Sequence, residues 1–379
     1  MSKSIALLLA LVFLTDSCII VIKSVWVVPE DSWTQMTPMH EVRGRLGVAV
    51  VNGKIYAIGG DIGSVGGLVE NYKLIGTSAV VSTNEEYDPA TDTWVFKSSM
   101  PTPRKNFGIA VYQNNIYCIG GEIRNGSTMS YTGVNEVYDP ATDTWETKTP
   151  MPTHRRFLTA NVVNGKIYLI GALDNNSQNQ VYDPSTDSWT TKTPPPYEIT
   201  SCASAVVDNK IYFIGTRTNS SGLWTGAFVQ IYNPVNDTWS TGGYSPTYGV
   251  SATAGVTSGV SAPKRIYFLD ETGNYVYDPA NDSWTVGASM PTARGYVGVT
   301  VVNDTLYAVG GVILPASGFG EMSPSAVNEQ YTPIGYIPEF PTFLILPLFM
   351  IATLMTVAAT VAAIKKKTFR PTSKRARPY

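Results

Sequence analysis

Two stretches of the sequence decide the fold, KIYAIGG at residues 54–60 and YDPATDTW at residues 87–94. The first is a strand-like run that ends in a double glycine, and the second places turn residues between a tyrosine and a tryptophan. Both recur along the chain at intervals of about 50 residues, a period that indicates a repeat architecture. The tyrosine of the first stretch occurs six times: Tyr56, Tyr117, Tyr168, Tyr212, Tyr267 and Tyr307.

Each repeat unit is predicted to contain four strands. Asn52-Gly53, a strong signal for a tight hairpin, separates two apolar runs, and Asn164-Gly165 does the same in a later unit. Asp-Pro turns then separate a second pair of strands, in which a tryptophan follows a tyrosine by seven residues. The hairpin variants are Asn114-Asn115, Asp208-Asn209 and Asn303-Asp304, and the Tyr–Trp pairs are Tyr87–Trp94, Tyr138–Trp145, Tyr182–Trp189, Tyr232–Trp239 and Tyr277–Trp284. Four-stranded units that repeat radially form a β-propeller.

The spacing also predicts how the ring closes. The sixth unit ends at Tyr331, and Pro338 occupies the position at which its tryptophan is expected. An unassigned tryptophan, Trp33, lies at the other end of the repeat region and is followed ten residues later by Arg43. The same spacing occurs in three units: Trp94–Arg104, Trp145–Arg155 and Trp284–Arg294. We therefore expect the N-terminal segment to supply the outer strand of the last unit, which removes an open sheet edge.

The order double glycine, tyrosine, tryptophan and Met-Pro-x-x-Arg resembles the kelch repeat. The resemblance covers residues 31–333, although Gly171-Ala172 and Gly215-Thr216 keep one of the two glycines and Leu269-Asp270 keeps neither. It implies an all-β fold, a six-bladed kelch-type β-propeller over residues 29–335 that is closed by an N-terminal strand. Blade 5 has the least defined edges, because the stretch 258–265 replaces the tight hairpin.

The two ends of the chain predict export and a membrane tether. Residues 1–28 begin with a lysine and an apolar run, as signal peptides do, with an uncleaved signal anchor as the alternative. Residues 343–364 carry no charge and are long enough to cross a bilayer as one C-terminal transmembrane α-helix. The basic tail 365–379 then lies in the cytoplasm by the positive-inside rule, and residues 336–342 form a linker below an extracellular propeller.

A short motif in front of the predicted span, Pro338-Glu339-Phe340-Pro341, resembles the PEF-type C-terminal signals of exported archaeal proteins. Signals of that kind can be processed, so removal of the helix after export stays open. Six Asn-x-Ser/Thr sequons are candidate glycosylation sites in an exported chain, and a chance origin in a Ser- and Thr-rich surface is the alternative. They begin at Asn125, Asn175, Asn219, Asn236, Asn281 and Asn303.

Charge excludes nucleic acid as a partner. Outside the first 28 residues and the tail beyond residue 364, 18 basic residues stand against 28 acidic ones, so the middle of the chain would repel phosphate. Only Cys118 and Cys202 fall in the propeller region, which is too few for a disulfide framework.

The loops between the second and third strands of each unit should share one face of the ring, here named the long-loop face. These loops are long at 61–84, 122–135 and 312–328 and intermediate at 216–228, whereas the turns of the opposite, short-turn face are tight. Long loops on a rigid scaffold commonly carry binding residues, although tolerated insertions are an equal alternative. The candidate ligand-binding residues there are Tyr72, Arg124, Tyr131 and Trp224.

A ring of arginines is a second candidate site on the same face. Arg43, Arg104, Arg155 and Arg294 precede the innermost strands of four units and could grip a carboxylate or sulfate; Ile199 and Gly249 leave the ring incomplete. The kelch resemblance implies the alternative, in which these side chains bond neighbouring backbone as scaffold. A recurring Asn-Glu/Gln-x-Tyr pattern is expected to belong to the blade itself.

Catalytic chemistry finds little support. The two histidines, His40 and His154, are too few for the copper site of galactose oxidase, another kelch propeller, so we expect no metal and no cofactor. Sialic-acid epimerases also resemble this fold, which leaves an enzyme acting on acidic sugars through the arginines as the rival hypothesis. The leading hypothesis is a non-catalytic surface module that binds a glycan or a surface protein, and a spacer without a ligand is the third.

Overall fold

The computed structural model describes residues 29–70, 73–125, 128–171, 178–197, 199–218, 224–246, 253–271, 273–313 and 323–337. These residues form six four-stranded antiparallel sheets. The first strands of neighbouring sheets contact one another all the way around, from blade 1 through blade 6 and back to blade 1. The prediction of an all-β, six-bladed propeller is therefore confirmed.

Strands are numbered in chain order, and each blade begins at its innermost strand. The chain enters through β1 (Ser32–Met36). Blade 1 comprises β2 (Gly47–Val51), β3 (Lys54–Ile58), an inserted hairpin of β4 (Asp61–Glu70) and β5 (Lys73–Val80), then β6 (Asn84–Asp88) and β7 (Thr93–Lys97). Blade 2 comprises β8 (Gly108–Tyr112), β9 (Asn115–Ile119), an inserted hairpin of β10 (Glu122–Asn125) and β11 (Thr128–Tyr131), then β12 (Asn135–Asp139) and β13 (Thr144–Lys148).

The remaining blades follow the same order. Blade 3 comprises β14 (Thr159–Val163), β15 (Lys166–Gly171), β16 (Gln178–Asp183) and β17 (Ser188–Lys192). Blade 4 comprises β18 (Ile199–Val207), β19 (Lys210–Thr218), β20 (Trp224–Asn233) and β21 (Thr238–Tyr244). Blade 5 comprises β22 (Thr253–Val256), β23 (Ile266–Leu269), β24 (Asn274–Asp278) and β25 (Ser283–Gly287). Blade 6 comprises β26 (Gly298–Val302), β27 (Thr305–Val309), an inserted pair of β28 (Val312–Ile313) and β29 (Ser323–Pro324), then β30 (Asn328–Thr332) with β1 outermost.

The core is divided among the spaces between blades. Between blades 1 and 2, for example, Tyr56 and Ile58 pack with Ile116 and Cys118, and all four are buried. Inner strands carry apolar side chains on both faces because each face meets another blade, which explains their continuous apolar runs. Burial of each large aliphatic or aromatic side chain contributes about 1.5–3 kcal/mol.

Tight hairpins join the first two strands of five blades, with positive φ at both turn residues as type I′ turns require. Asn52 and Gly53, with φ of 51° and 73°, form the turn of blade 1. In blade 2 the turn residues are Gln113 and Asn114, so the predicted pair Asn114-Asn115 was wrong by one position. In blade 5 the turn is longer, and a residue of blade 6 holds it in place. The Asp304 carboxylate accepts hydrogen bonds from the N–H groups of Ser261 and Ala262 at 2.6 and 3.1 Å.

The double glycine is explained by the close approach of two backbone segments. Gly59 and Gly60 have φ of 61° and 100°, which side-chain-bearing residues rarely adopt. A Cβ on Gly60 would lie 2.6 Å from the carbonyl oxygen of Gly44, in the segment that enters the blade. The motif therefore lets the end of the second strand pass the entering chain at the long-loop face.

The N-terminal strand closes the ring as predicted. β1 pairs with β30, and Trp33 lies opposite Tyr331 with ring centroids 5.1 Å apart. The Trp33 indole donates a hydrogen bond to the carbonyl of Ala288 in blade 5 at 2.7 Å. The first strand of the propeller thus completes its last blade and bonds the blade before it.

The same contacts recur at the blade junctions and form a unit that we name the clasp. In blade 3, the Asp187 carboxylate accepts the Tyr182 hydroxyl at 2.6 Å and the N–H of Thr149, in blade 2, at 2.9 Å. Trp189 donates its indole N–H to the carbonyl of Thr149 at 2.9 Å. Six aspartates make this pair of bonds: Asp31, Asp92, Asp143, Asp187, Asp237 and Asp282.

The clasp predicts acid sensitivity. The Tyr182 hydrogen bond and the Thr149 N–H lower the pKa of Asp187, against the opposing effect of burial. Because the folded-state pKa lies below the unfolded value of about 3.9, this stabilisation is complete above pH 4 and is lost as the pH falls through the folded-state pKa. We expect the melting temperature to fall progressively below about pH 4.

Thermal melts from pH 7 to pH 2, followed by tryptophan fluorescence, check this expectation. Asp187→Asn cannot titrate at this position and should lose less stability between pH 4 and pH 2 than the unmodified protein. An unchanged melting temperature down to pH 2 would contradict it.

The long 2–3 loops are more regular than the sequence suggests. β4 pairs with β5, β10 with β11, and β28 with β29. In blade 4 the insertion instead lengthens β19 and β20, which stay paired through a bulge. The sequence predicted long loops here and no strands, because the glycines and serines of these segments hide the strand pattern.

No helix that is long and apolar enough to cross a membrane occurs among the described residues. The predicted signal peptide 1–28, membrane helix 343–364 and tail 365–379 lie outside those residues, as does most of the linker 336–342.

Candidate functional site

The four candidate arginines lie at the long-loop face with their side chains turned into the blades. The guanidinium of Arg43 donates to the carbonyl groups of Ala57, Gly59 and Thr83 at 3.0–3.1 Å and to Oε1 of Glu85 at 2.8 Å. No surface of its side chain is exposed. Burial lowers the pKa of Arg43, and the Glu85 carboxylate opposes that effect.

The other three arginines repeat this arrangement with one difference. Arg104 pairs with Glu136 at 2.8 Å and Arg294 with Glu329 at 2.9 Å. Arg155 meets Gln180 instead, at 3.0 Å, so the described residues give it no carboxylate. Burial lowers the pKa of Arg155 to about 10, which leaves it charged at neutral pH.

This geometry favours the scaffold alternative. The second position of the Asn-Glu/Gln-x-Tyr pattern supplies the arginine's partner. The Asn of the pattern bonds a carbonyl at the end of the fourth strand, as Asn135 does at Thr149 over 3.2 Å. A ligand cannot reach guanidinium groups that are buried and bonded to the strands they hold together. The arginines therefore give no support to an open ring that grips an anion.

The residues two positions beyond the arginines surround the channel mouth instead. Arg45, Asn106, Phe157 and Tyr296 all have positive φ, between 52° and 57°. Their backbones form a chain of hydrogen bonds in which Arg45 N–H donates to Tyr296, Asn106 N–H to Arg45, and Phe157 N–H to Asn106, at 2.9–3.3 Å. Positive φ is rare for bulky residues, and such strained positions concentrate at functional sites.

A cavity of about 120 Å³, here named the mouth cavity, opens inside this chain of residues. All six blades or the segments that enter them contribute to its wall: Arg45, Leu46, Asn106, Phe107, Phe157, Leu158, Cys202, Thr253, Tyr296 and Val297. It therefore lies on the propeller axis. Small-molecule sites usually measure about 300–1,000 Å³, so this cavity suits one inserted side chain better than a whole ligand.

Charges border the mouth cavity on one side, at blades 1 to 3. Asp61 is buried and accepts hydrogen bonds from Arg45 at 3.1 Å and from Lys105 at 2.7 Å. In the next blade, Glu122 accepts bonds from Arg156 at 2.9 Å and from Asn106 at 3.1 Å. Among the described residues, three cations thus share two carboxylates, which gives this group of side chains an excess of positive charge.

Aromatic rings support these cations. The guanidinium of Arg45 lies 4.5 Å from the Tyr296 ring centroid. That of Arg156 lies 4.8 Å from Tyr131 and 5.0 Å from Phe157. Such cation–π contacts hold the guanidinium groups in place while the Arg156 side chain stays 24% exposed. Held in this way, the guanidinium groups can donate charge-assisted hydrogen bonds to an anionic group.

These mouth residues were not predicted from the sequence, because no single residue type recurs at their positions in the repeat. The signal was positional, since each of them follows a repeated arginine by two residues. The two acidic residues also occupy a recognisable position in the sequence, because Asp61 and Glu122 each directly follow a double glycine. Valine takes that position in blade 6, at Val312, so the charged arc is confined to part of the ring.

The candidate loop residues divide into two groups. Tyr131 ends β11 and joins the mouth through Arg156, and Arg124 lies across the same hairpin opposite Met129. Trp224 is described only as the first residue of β20, opposite Thr218, and Tyr72 lies outside the described residues. Of the sequons, Asn125, Asn236, Asn281 and Asn303 are exposed, while Asn175 and Asn219 lie outside the described residues.

The remaining chemistry-bearing residues are structural. Burial raises the pKa of Cys118 and of Cys202 to about 12, so both thiols stay protonated. His40 bonds Glu85 at 2.8 Å and stacks on Phe96. Within the described part of the chain, no three His, Cys, Asp or Glu residues are grouped to hold a metal ion.

Comparison with known proteins agrees with this geometry. The profile of the Kelch motif matches residues 43–101 and 103–152, which correspond to blades 1 and 2. Blades 1 and 2 thus carry the sequence pattern of the Kelch motif. In a solved structure titled "Structure of YjhT", the match covers 77% of this chain and 96% of that one, with a TM-score of 0.58 at 15% identity, which supports the fold alone.

Curated relatives match over shorter stretches. The influenza virus NS1A-binding protein homolog of Xenopus laevis is 36% identical over 103 residues, which are 27% of this chain and 14% of that protein. Alpha-scruin of Limulus polyphemus is 30% identical over 151 residues, 39% of this chain and 15% of that one. The Kelch-like protein terF of Aspergillus terreus is 32% identical over 146 residues, 37% and 30% of the two chains. The matches thus span less than a third of each of these relatives.

Proposed function

We propose that this propeller is a non-catalytic binding module for a protein partner, and that the partner inserts an acidic side chain into the mouth cavity. The observation that carries the proposal is the arc of Arg45, Lys105 and Arg156 around two carboxylates. Arg155, buried beneath the same face, has no carboxylate partner among the described residues and adds to the positive potential. An incoming Asp or Glu would balance this charge.

The relatives support a protein partner. One of them is named for binding the influenza virus NS1A protein. The inserted hairpins of blades 1, 2 and 6 extend the long-loop face around the mouth and offer further contact area. Protein interfaces commonly place Arg and Tyr anchors at their centre, and both residue types border this cavity.

We also propose that the propeller lies outside the cell. The apolar N-terminal run, the uncharged segment 343–364 and the basic tail support a propeller that is displayed outside the cell on a single membrane helix. Protease treatment of intact cells should then release propeller fragments. A propeller that survives this treatment in intact cells but not in lysed cells would contradict the location.

The rival enzyme hypothesis is not favoured. It depends on open arginines, yet Arg43, Arg104 and Arg294 are buried, and each donates to a backbone carbonyl group and to a buried carboxylate. Glycan recognition on the long-loop face is also weaker as a proposal, because the mouth cavity is small and charged.

Peptide-display selection on the immobilised full chain tests the proposed function. We expect enrichment of sequences with a central Asp or Glu, and binding that weakens as ionic strength rises. Arg156→Ala should weaken the selected peptides at least about tenfold, since a hydrogen bond to a charged group contributes about 1.5–3 kcal/mol. Lys210→Ala, which removes an exposed cation from the short-turn face, is the matched control and should change nothing.

Circular dichroism and melting curves would show that both variants are folded. Enrichment of basic or purely apolar sequences, or equal effects of the two variants, would contradict the proposal.

A further inference from the structure

A larger cavity lies away from the mouth, on the short-turn face between blades 1 and 6. This junction cleft measures about 390 Å³. Asn52, Lys54 and Asp88 of blade 1 line one side, Tyr307 and Gln330 of blade 6 line the other, and Tyr336 adds a further wall. Its volume falls within the range of about 300–1,000 Å³ that is usual for small-molecule sites.

The cleft exists here because the chain continues past the last blade. After β30, a turn brings Tyr336 against the junction. The Tyr336 N–H donates to the carbonyl of Pro333 at 3.2 Å, and the Gly335 N–H donates to the Glu30 carboxylate at 2.8 Å. The turn is thus fixed to the start of the propeller. On the other side of the cleft, a Cβ on Gly53 would meet no atom within 4 Å, so space is open beside the hairpin.

One side chain in the cleft departs from the repeat. Gln330 occupies a position that is aliphatic in the four middle blades: Val137, Val181, Ile231 and Val276. Its amide donates to the Tyr307 hydroxyl at 2.8 Å and to Thr305 Oγ1 at 3.3 Å. In blade 1 the same position holds Glu86, which accepts the hydroxyl of Tyr56 at 2.8 Å, so both blades that flank the junction have a polar residue here.

The cleft is polar but carries no net charge. Lys54 and Asp88 form an ion pair, and the remaining polar groups are the amides of Asn52, Asn303 and Gln330 and the hydroxyls of Thr305, Tyr307 and Tyr336. Amides and hydroxyls each offer both donors and acceptors, as sugar hydroxyl groups do. A partly buried tyrosine provides an apolar face beside them.

We propose that the junction cleft binds a neutral carbohydrate of one or two sugar units. This site is independent of the protein-binding mouth and lies on the opposite face of the propeller. An anionic ligand is disfavoured because Asp88 neutralises the only lysine of the cleft lining.

Binding of four neutral disaccharides to the full chain tests the proposal, with lactose, maltose, cellobiose and chitobiose as probes and galacturonic acid as the charged comparison. The protein is produced in a host that adds no N-glycans, so that Asn303 is unmodified. We expect at least one disaccharide to bind with a Kd in the millimolar range by ligand-observed NMR.

Substitutions in the cleft and at a matched control position test whether the sugar binds in the junction cleft. Ala90→Trp fills the cleft from the blade 1 turn and should weaken binding at least about tenfold. Ala141→Trp is the matched control, because Ala141 occupies the same turn position in blade 2 and donates the same N–H bond to its aspartate. Gln330→Val restores the residue type of blades 2 and 3 and should also weaken binding about tenfold without unfolding the chain.

Absence of binding by all four disaccharides at about 10 mM would overturn the proposal. So would equal effects of Ala90→Trp and Ala141→Trp, unchanged affinity in Gln330→Val, or tighter binding of galacturonic acid than of every neutral sugar.

Discussion

Replacing Trp33 with alanine is expected to lower the free energy of unfolding by about 3 kcal/mol, the lower end of the range for buried Trp→Ala changes. The substitution removes the indole hydrogen bond to Ala288 and the packing against Tyr331. It also weakens the pairing of β1 with β30, on which the closed ring depends. Urea unfolding followed by circular dichroism measures the effect.

Trp284→Ala provides the matched comparison. Trp284 packs on Tyr277 with ring centroids 4.9 Å apart, much as Trp33 packs on Tyr331, but its indole nitrogen has no hydrogen-bond acceptor. Its strand is also continuous with the rest of blade 5. We therefore expect a smaller loss of stability at Trp284. A larger loss there than at Trp33 would mean that the N-terminal strand contributes little to closure.

The largest effect is expected for Arg104→Ala. The change leaves Glu136 buried without its cation and four carbonyl groups without this donor. Removal of one partner from a buried ion pair costs about 3–5 kcal/mol, which is a large part of the stability of a typical domain. We expect a variant that unfolds at much lower urea concentration or fails to accumulate in folded form.

Arg155→Ala measures how much the carbonyl contacts of such an arginine contribute to stability when no ion pair is present. Gln180 is neutral, so the truncation strands no charge, and the loss of stability should be smaller than at Arg104. The double variant Arg104→Ala with Glu136→Gln should recover part of the lost stability, because no buried charge then remains unpaired. If Arg104→Ala retained full stability, the arginines would not be scaffold, and a ligand role for them would have to be considered again.

The sequence predicted the parts of the fold that repeat. Tyr56 and its counterparts located the inner strands, and the Tyr–Trp pairs located the outer ones, because each blade needs the same side chains at its junctions. The distance from Trp33 to Arg43 predicted ring closure for the same reason. These residues recur with the period of the blades, and such a period can be counted in a single sequence.

Features that do not repeat were harder to predict. The arginines were correctly placed on the long-loop face, but whether they point outward or inward depends on the carbonyl groups around them. The mouth residues Arg45, Phe157 and Tyr296 differ from blade to blade, so counting could not find them. The junction cleft depends on Tyr336, whose place beside blade 1 follows from closure and not from any local pattern.

One junction is weaker than the others, and this was only partly visible in the sequence. Between blades 4 and 5, no described residue accepts the indole N–H of Trp284, and Val229 of blade 4 takes the position that Asn135 and Asn179 occupy in blades 2 and 3. A bulge between Phe228 and Gln230 shifts the pairing of β20 with β21, which accounts for the lost bond. Two features of the sequence indicated an irregular neighbourhood: blade 5 lacks the double glycine, and the stretch 258–265 replaces its tight hairpin.

A cross-strand disulfide tests the central claim most directly. Thr34 lies opposite Gln330 in the paired strands β1 and β30. With Thr34→Cys and Gln330→Cys combined in the full chain, mild oxidation should join positions 34 and 330, as peptide mapping by mass spectrometry would identify. Thr34→Cys combined with Thr190→Cys, on the outer strand of blade 3, should give no such link. Absence of the first disulfide, or equal formation of both, would contradict closure of the six-bladed ring by its N-terminal strand.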